Sequence, residues 1–261
     1  MFGGNLIWPP FGCICVRRLT VCLLFFSFSY CGHQFGHFSG QLGDGATMYL
    51  GEIITSKGER IELQFKGAGK TPYSRSADGR KVLRSSLREF LCSEAHHYLG
   101  IPTTRAGTIV TSDTRVVRDI FYDGNAIEER ATVITRLAHS FIRFGSFEIA
   151  KGVDSITGRA GPSAGHTALI QQLLDYVVDT FYADVVAGLP SREDQYVAFF
   201  RELTRRTAAL VARWQGVGWA HGVLNSDNCS ILGITIDYGP FGFMEAFDPQ
   251  YICNASDNEG A

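Results

Sequence analysis

The sequence predicts an α+β protein of two lobes, in which the first lobe is rich in strands and the second is rich in helices. Residues 47–66 alternate polar and apolar side chains around a polar turn, which indicates a β-hairpin. Residues 168–182 and 195–214 carry apolar side chains at helical spacing. The composition changes between these regions near Gly161, and we expect the stretch DSITGRAGPSAG to be the hinge. The expected domains are a leader at 1–29, an N-lobe at 30–160 and a partial C-lobe at 161–261.

Composition narrows the function classes. The chain has 261 residues, 45% of them hydrophobic and 19% charged, with a formal net charge of −2. A nucleic-acid-binding protein usually has a basic surplus, so no nucleic-acid partner is expected. The seven cysteines have no C-x-x-C spacing, which disfavours a zinc site and fits a reducing compartment.

The leader contains VRRLTVCLLFFSFSYC, in which two arginines precede an apolar run. A run of about a dozen residues is too short to span a bilayer, so no stable membrane insertion is expected. It fits a signal-peptide core, an organelle-targeting segment or a non-native leader.

The predicted hairpin places Lys66 on the polar face of its second strand. The strands TMYLGEII and RIELQFK flank the turn TSKGE. Side chains alternate along a strand, so Glu62, Gln64 and Lys66 share one face and Ile61, Leu63 and Phe65 share the other. A ligand on the polar face would therefore lie within reach of Lys66.

A helix is predicted next, from Val82 to Leu99, with Gly100 and Pro102 as its stop. Glu89 is expected near the edge of its apolar stripe. The segments TTRAGTIV and TRVVRD then predict a strand pair around TSD, and ATVITR predicts another short strand. The stripes of the two later helices are expected to lie in the core.

The stretch QFKGAGKTPYS ends like a phosphate-binding P-loop. That motif requires G-x-x-x-x-G-K-[ST], and the position of its first glycine is occupied here by Gln64. The sequence therefore disfavours a P-loop, and Lys70 and Thr71 are expected in a turn beyond the strand.

Four features in a fixed order indicate a different way of handling phosphate. They are the glycine-rich turn GQLGDG, the strand residue Lys66, the helix residue Glu89, and the segment HGVLNSDNCSILGITIDYG. In that segment His221, Asp227 and Asn228 precede an expected apolar strand that ends at Asp237. This order resembles kinase-like enzymes, in which one Asp serves as base while an Asn and a second Asp hold divalent metal.

Longer stretches resemble the selenoprotein O (YdiU) family. They include YCGHQFGHFSGQLGDG, LQFKGAGKTPYSRSADGRKVLRSSLREFLCSEA, RFGSFE and HGVLNSDNCSILGITIDYGPFG, and the match runs from about Tyr30 to Asp257. Members have a kinase fold, bind ATP in a flipped orientation and transfer AMP to protein hydroxyls. The resemblance implies ATP and Mg²⁺ or Mn²⁺ as cofactors and protein substrates bearing Ser, Thr or Tyr hydroxyls. It also implies a mitochondrial location in a eukaryote and a cytoplasmic one in a bacterium.

The resemblance assigns roles to individual residues. Asp227 would be the catalytic base, and Asn228 and Asp237 would hold the metal. The expected nucleotide-binding positions are Gly43, Gly45, Ala46, Lys66, Asp78, Gly79, Glu89, Arg136, Arg143 and Asp237. Within this set Lys66 would contact phosphate and pair with Glu89, and the two arginines would clamp phosphates, to which a guanidinium can bind in a bidentate manner.

Two departures from the family pattern keep other functions open. The family usually has Arg after GDG, where this chain has Ala46. The family also continues as a long helical part beyond the position of Ala261, so an incomplete second lobe is expected. The alternatives are a phosphotransferase of the same fold and an inactive nucleotide-binding fragment. His33 and His37 have metal-ligand spacing, but a structural role is the expectation because no third ligand accompanies them.

Overall fold

The computed structural model describes residues 26–120 and 123–257. It opens with an antiparallel hairpin of β1 (Ser29–Gln34) and β2 (His37–Gly43), which forms a two-stranded sheet of its own. This hairpin packs against a 3-10 helix at Phe144–Ala150 and against a short 3-10 turn at Ser226–Asn228. The first element of the described chain therefore lies against the loop that carries the expected catalytic residues.

Five strands form the main sheet, in the order β3-β4-β7-β5 with β6 paired to β7. The pairs β3–β4, β4–β7, β5–β7 and β6–β7 are antiparallel. The strand bounds are Thr47–Ile54 for β3, Arg60–Lys66 for β4, Lys81–Val82 for β5, Arg105–Arg118 for β6 and Ile127–Ala138 for β7. The predicted hairpin is confirmed, and its polar face is the buried one, because Glu62 and Gln64 are buried.

The predicted strand pair around TSD is wrong. Residues 105–118 form the single strand β6, which runs beside β7 with irregular register between Thr111 and Arg115. The polar residues of TSD are exposed on this long edge strand, so their turn-like composition does not require a reversal. Edge strands accept such irregularities because one side of their backbone has no strand partner.

The predicted helix is confirmed as α1 (Leu83–Tyr98), but its apolar residues do not form the buried face. The buried residues are Ser86, Glu89, Cys92, Ser93 and His96. Leu87, Leu91 and Tyr98 are exposed, with Leu91 at 64%. Glu89 therefore lies in the middle of a buried polar face rather than at the edge of an apolar one.

The second half contains α2 (Thr167–Phe181), the short α3 (Ala183–Val186) and α4 (Arg192–Gly216). The helix α4 begins three residues before its predicted start because Ser191 caps it, accepting a hydrogen bond from the Asp194 backbone at 3.1 Å. The apolar stripes form two clusters of buried side chains, but Phe200 of α4 is 68% exposed. The core prediction for these stripes is therefore confirmed only in part.

The expected apolar strand between Asn228 and Asp237 is absent from the described residues. Single bridges connect Cys229 with Thr235 and Thr103 with Thr235 instead. The segment therefore folds back on itself, and its two ends meet. On either side of this segment in the sequence, β8 (Trp219–Ala220) pairs with β9 (Gly242–Phe243).

The expected hinge, residues 154–165, forms turns that bond back to the preceding 3-10 helix. Gly161 donates to the carbonyl of Lys151 at 2.9 Å, and Ser163 donates to that of Ile149 at 3.0 Å. The lobe boundary near Gly161 stays a prediction. The leader prediction for residues 1–29 falls mostly outside the described residues. Among the residues that are described, no helix has the length and apolarity to cross a bilayer.

Candidate active site

Lys66 lies at the centre of a buried ionic cluster. Its Nζ lies 2.6 Å from Oδ1 of Asp237 and 3.1 Å from Oε2 of Glu89. Because β4 ends at Lys66 with this side chain on the buried face, the ammonium meets α1 on one side and the residue after the folded-back segment on the other. The structure thus brings together three of the predicted site residues, which are far apart in sequence.

Two further cations contact Glu89. Arg136 of β7 lies 3.0 Å from Oε1, and Lys81 of β5 lies 3.0 Å from Oε2. Arg136 also donates to the carbonyl of Ile236, next to Asp237. Lys81 was missed in the sequence, because no motif marks it and only the pairing of β5 with β7 brings it to the cluster.

The charges in this cluster stabilise one another. Burial opposes ionisation of Glu89, but the Lys66, Lys81 and Arg136 cations lower its pKa to about 2. Burial likewise opposes the charge on Asp237, and Lys66 and Arg136 hold the pKa of that carboxyl well below its usual range. For Lys81 burial prevails and lowers its pKa. With three cations against two carboxylates, the cluster has a positive surplus that suits an anionic ligand.

Asp227 lies in the 3-10 turn Ser226–Asn228, close enough to Asp237 for the two charges to influence each other. Its Oδ2 accepts a hydrogen bond from Nε2 of Gln34 at 3.1 Å, while its Oδ1 is buried and has no hydrogen-bond partner among the residues that the structure describes. Burial raises the pKa of this carboxyl, against the opposing effects of Gln34 and Arg143. A buried carboxylate with one unpartnered oxygen has the character of a general base awaiting a proton donor.

Arg143 connects the 3-10 turn Ser226–Asn228 with the glycine-rich turn. It donates to the backbone carbonyl of Asp227 at 3.0 Å, and its guanidinium lies 3.6 Å from Oδ1 of Asp44. The guanidinium also lies over the ring of Tyr30, 4.3 Å from its centroid. Asp44 was not identified in the sequence, although it stands between Gly43 and Gly45, because its partner is about a hundred residues away.

The GKTPYS stretch forms hydrogen bonds to the backbone of the glycine-rich turn. Thr71 donates from Oγ1 to the carbonyl of Asp44 at 2.6 Å, and Ser74 donates to that of Gly45. A Cβ at Gly43 would lie 2.3 Å from the ring of Tyr73, so this position requires glycine. Turns rather than a helix follow the stretch, so a P-loop is not formed here.

The remaining nucleotide-binding candidates line a cavity of about 570 Å³. Gly45, Ala46, Asp78 and Gly79 all border it. Both oxygens of Asp78 accept hydrogen bonds from Arg118, each at 2.7 Å. Arg118 was missed in the sequence because it stands 40 positions from Asp78, and only the path of the long strand β6 brings the two side chains together.

Each of the two predicted metal ligands, Asn228 and Asp237, can offer an oxygen to a divalent metal. Asn228 donates from Nδ2 to Val223 at 2.9 Å, which leaves its amide oxygen for a cation. Lys66 contacts Oδ1 of Asp237, so Oδ2 is the oxygen left on that side. Mg²⁺ is usually bound by one or two protein oxygens together with phosphates and waters, so this donor set fits it. Within 26–120 and 123–257 no set of three or more His, Cys, Asp or Glu side chains could hold a metal alone.

Of the two histidines at metal-ligand spacing, His37 is exposed and His33 has other partners. His33 contacts Glu148 through Nδ1 at 2.6 Å and Lys151 through Nε2 at 3.0 Å. His221 is buried against Trp214 and Trp219. These contacts favour structural roles for both side chains.

A strand lysine, Lys66, pairs here with a helix glutamate, Glu89, and with Asp237. Together with the mixed α+β architecture, this pairing is typical of the kinase-like class of proteins. Residues 16–261 match the family described as "Protein adenylyltransferase SelO", and the chain belongs to that family. The match begins at residue 16, so it extends further towards the N-terminus than the expected start at Tyr30.

Curated relatives agree with this assignment. The chain is 66% identical over 232 residues to "Protein adenylyltransferase SelO, mitochondrial" of Homo sapiens, covering 88% of this chain and 35% of the relative. It is 62% identical over 242 residues to "Protein adenylyltransferase SelO-1, mitochondrial" of Danio rerio, with the same two coverages. It is 48% identical over 261 residues to "Protein nucleotidyltransferase YdiU" of Xanthomonas campestris, covering 100% of this chain and 45% of that relative. The chain therefore spans less than half the length of these relatives.

Proposed function

We propose that this chain transfers the AMP moiety of ATP to Ser, Thr or Tyr hydroxyls of proteins with the help of a divalent metal, Mg²⁺ or Mn²⁺. The observation that carries the proposal is the position of Lys66, whose Nζ lies 2.6 Å from Asp237 and 3.1 Å from Glu89. An ammonium held in this way can contact a phosphate of a bound nucleotide. The name of the family, which describes its members as protein adenylyltransferases, supports adenylyl transfer as the reaction.

In the proposed reaction an acceptor hydroxyl oxygen forms a bond to the α-phosphorus of ATP. The bond from that phosphorus to the oxygen bridging the β-phosphorus breaks, and pyrophosphate leaves with the electron pair. The hydroxyl proton passes to the carboxylate of Asp227, whose Oδ1 is buried and unpartnered. Positioning and stabilisation of charge can account for most of such a rate enhancement.

The other site residues have supporting roles in the proposal. Lys66 and Arg143 would offset the negative charge of the phosphates, and Arg136 would assist from behind Glu89. Asn228 and Asp237 would hold the metal, which would supply further positive charge next to the phosphates. The cavity bordered by Gly45, Ala46, Asp78 and Gly79 would receive the rest of the nucleotide.

The proposed place of action depends on the source of the chain. The human, mouse and zebrafish relatives carry "mitochondrial" in their names, which supports a mitochondrial location for a eukaryotic chain. For a bacterial chain we propose the cytoplasm. Fractionation of cells that express the full native product, with an antibody to this chain, tests the proposal.

Labelled ATP tests the reaction. We expect protein incubated with Mg²⁺ and ATP labelled at the α-phosphate to acquire the label, whereas ATP labelled at the γ-phosphate leaves it unlabelled. Labelling from the γ-phosphate would replace the proposal with a phosphotransferase. No labelling from either nucleotide, and no rise in melting temperature with ATP and Mg²⁺, would identify an inactive fragment.

Asp237→Ala tests the site itself. The substitution removes a proposed metal ligand and the closest partner of Lys66, so α-label transfer should fall by about 100-fold or more. Glu245→Ala, an exposed carboxylate on the same segment, is the matched control and should transfer label at the wild-type rate. Undiminished transfer by Asp237→Ala would refute the metal assignment.

A further inference from the structure

Hydrogen bonds join the turn between β1 and β2 to the segment that carries the proposed catalytic base, Asp227. Three consecutive positions, 33–35, contact three consecutive positions, 225–227. The contacts are His33 N–H to Ser226 Oγ at 2.8 Å, Gln34 Nε2 to Asp227 Oδ2 at 3.1 Å, and Phe35 N–H to Asn225 Oδ1 at 3.2 Å. Only the middle contact reaches the proposed base, and it is made by a side chain.

The orientation of the Gln34 amide follows from its two partners. An ionised carboxylate can only accept hydrogen bonds, so the NH₂ group of Gln34 must face Asp227. Its carbonyl oxygen then faces Ser39, whose Oγ donates to Oε1 at 3.3 Å. Gln34 is thus held at both ends of its amide, by one side chain of its own hairpin and by the base.

Contact with Gln34 makes the two oxygens of Asp227 different. Oδ2 is held by the amide, whereas Oδ1 is buried and has no hydrogen-bond partner. Gly32 forms the wall beside this carboxyl, because a Cβ there would lie 3.0 Å from Cβ and 3.2 Å from Oδ1 of Asp227. The hairpin therefore limits both the rotation of the carboxyl and the space around it.

We propose that Gln34 is a positioning residue that holds Oδ2 of Asp227 so that Oδ1 takes the proton of the acceptor hydroxyl. This inference rests on the proposed adenylyl transfer. It adds to the kinase-like parts of the site a component from the hairpin that precedes them in sequence. Gln34 acts through Asp227, so its loss affects the chemical step and leaves nucleotide binding intact.

The anchoring of the turn does not depend on the Gln34 side chain. The bonds to Ser226 and Asn225 start from backbone N–H groups, which every side chain at position 34 leaves in place. Gln34→Met keeps the length of the side chain and removes the N–H donor. It therefore separates orientation of the base from attachment of the hairpin.

The test measures kcat and KM for ATP with the full chain, Mg²⁺, α-labelled ATP and casein as the hydroxyl-bearing acceptor. For Gln34→Met we expect kcat to fall by about 100-fold, the usual effect of misplacing a reacting group by about 1 Å. KM for ATP and the melting temperature should stay at wild-type values. Gln41→Met is the matched control, because Gln41 is an exposed glutamine of the same hairpin whose amide contacts only Ser29, at 3.4 Å.

Each outcome of these measurements supports or overturns the role of Gln34. Equal kcat for Gln34→Met and wild type would overturn the inference, as would a rise in KM together with a lower melting temperature, which indicates a structural role. If Gln34→Met does not fold, Ser39→Ala frees the same amide at one end and should lower kcat with KM unchanged; an unchanged kcat would then overturn the inference. A wild-type chain that transfers no α-label refutes the proposed function itself, and the inference with it.

Discussion

At the scale of single residues, Ala46 stands where the resemblance noted in the sequence leads us to expect an arginine. It borders the 570 Å³ cavity next to Arg118 and Asp78. Ala46→Arg should add a charge-assisted hydrogen bond to the nucleotide, worth about 1.5–3 kcal/mol, and tighten ATP binding by at least about tenfold. Isothermal titration with ATP and Mg²⁺ measures the change.

A charge-matched control distinguishes this contact from a general attraction. Thr114→Arg adds the same charge at an exposed position of β6 and should leave the affinity for ATP unchanged. Equal affinities for Ala46→Arg and wild type would mean that the neighbouring Arg80 and Arg118 already supply the contacts that a further arginine would make with the nucleotide. Equal tightening by both variants would mean that net charge alone is responsible.

Residues within motifs could be predicted from the sequence, and their partners outside motifs could not. The alternation of β4 predicted the direction of Lys66, and its pairing with Glu89 is present at 3.1 Å. Lys81 and Arg118 reach the site only through the pairing of β5 and β6 with β7, which no local pattern specifies. Gln34 likewise acts across 193 positions of sequence.

At the scale of elements, α1 shows why apolar periodicity misjudged a helix that faces a site. Its buried face carries a glutamate, serines, a cysteine and a histidine, because Glu89 reaches the ionic cluster while Cys92 and His96 pack beside Trp219. Leu87 and Leu91 are left on the exposed side. Periodicity locates a helix, but it identifies the inward face only where the interior is apolar. For a related reason the sequence predicted two strands where the structure has the single strand β6, because the exposed polar residues of TSD resemble a turn.

The buried His96 of α1 should make stability depend on pH. Burial lowers its pKa to about 4, and its ring lies against Trp219 and Tyr238. The unfolded chain binds a proton near pH 6.5 and the folded chain does not, so unfolding becomes easier as the pH falls from 6.5 towards 4. The loss attributable to this group is up to about 3 kcal/mol at the acidic end.

Urea unfolding between pH 7 and pH 5 measures this dependence. For His96→Gln we expect a shallower decrease of the free energy of unfolding with falling pH than for wild type. Some dependence should remain, because burial also lowers the pKa of His221. His97→Gln, the neighbouring and exposed position, serves as the control and should keep the wild-type slope. Identical slopes for wild type and His96→Gln would contradict the prediction.

At the scale of the whole molecule, the sequence predicted that most strands precede most helices, whereas the lobe boundary near Gly161 stays a prediction. The main sheet is built from residues 47–138, and the three helices after it lie within 167–216. The position of the first hairpin could not be predicted, because β1 and β2 lie against the 3-10 elements of the second half rather than in the main sheet. Such docking depends on contacts between distant segments, and local patterns do not contain them.

The second half also has a large apolar groove of about 830 Å³ between the Phe144–Ala150 3-10 helix, α2 and α4. It is lined almost entirely by apolar side chains, among them Phe200, which is 68% exposed. Apolar surface of this extent on a monomer promotes self-association and binding of hydrophobic dyes. We therefore expect this chain to enhance the fluorescence of anilinonaphthalene sulfonate and to self-associate as its concentration rises.

Two serine substitutions on α4 test whether the groove is responsible. Phe200→Ser should reduce both dye fluorescence and the apparent mass in light scattering, with the free energy of unfolding changed by only about 0.5 kcal/mol, since the side chain is mostly exposed. Val197→Ser removes an apolar side chain that is 58% exposed on the same helix but does not line the groove. It should leave both signals at wild-type values. Equal effects of the two substitutions would show that general surface hydrophobicity, and not the groove, drives association.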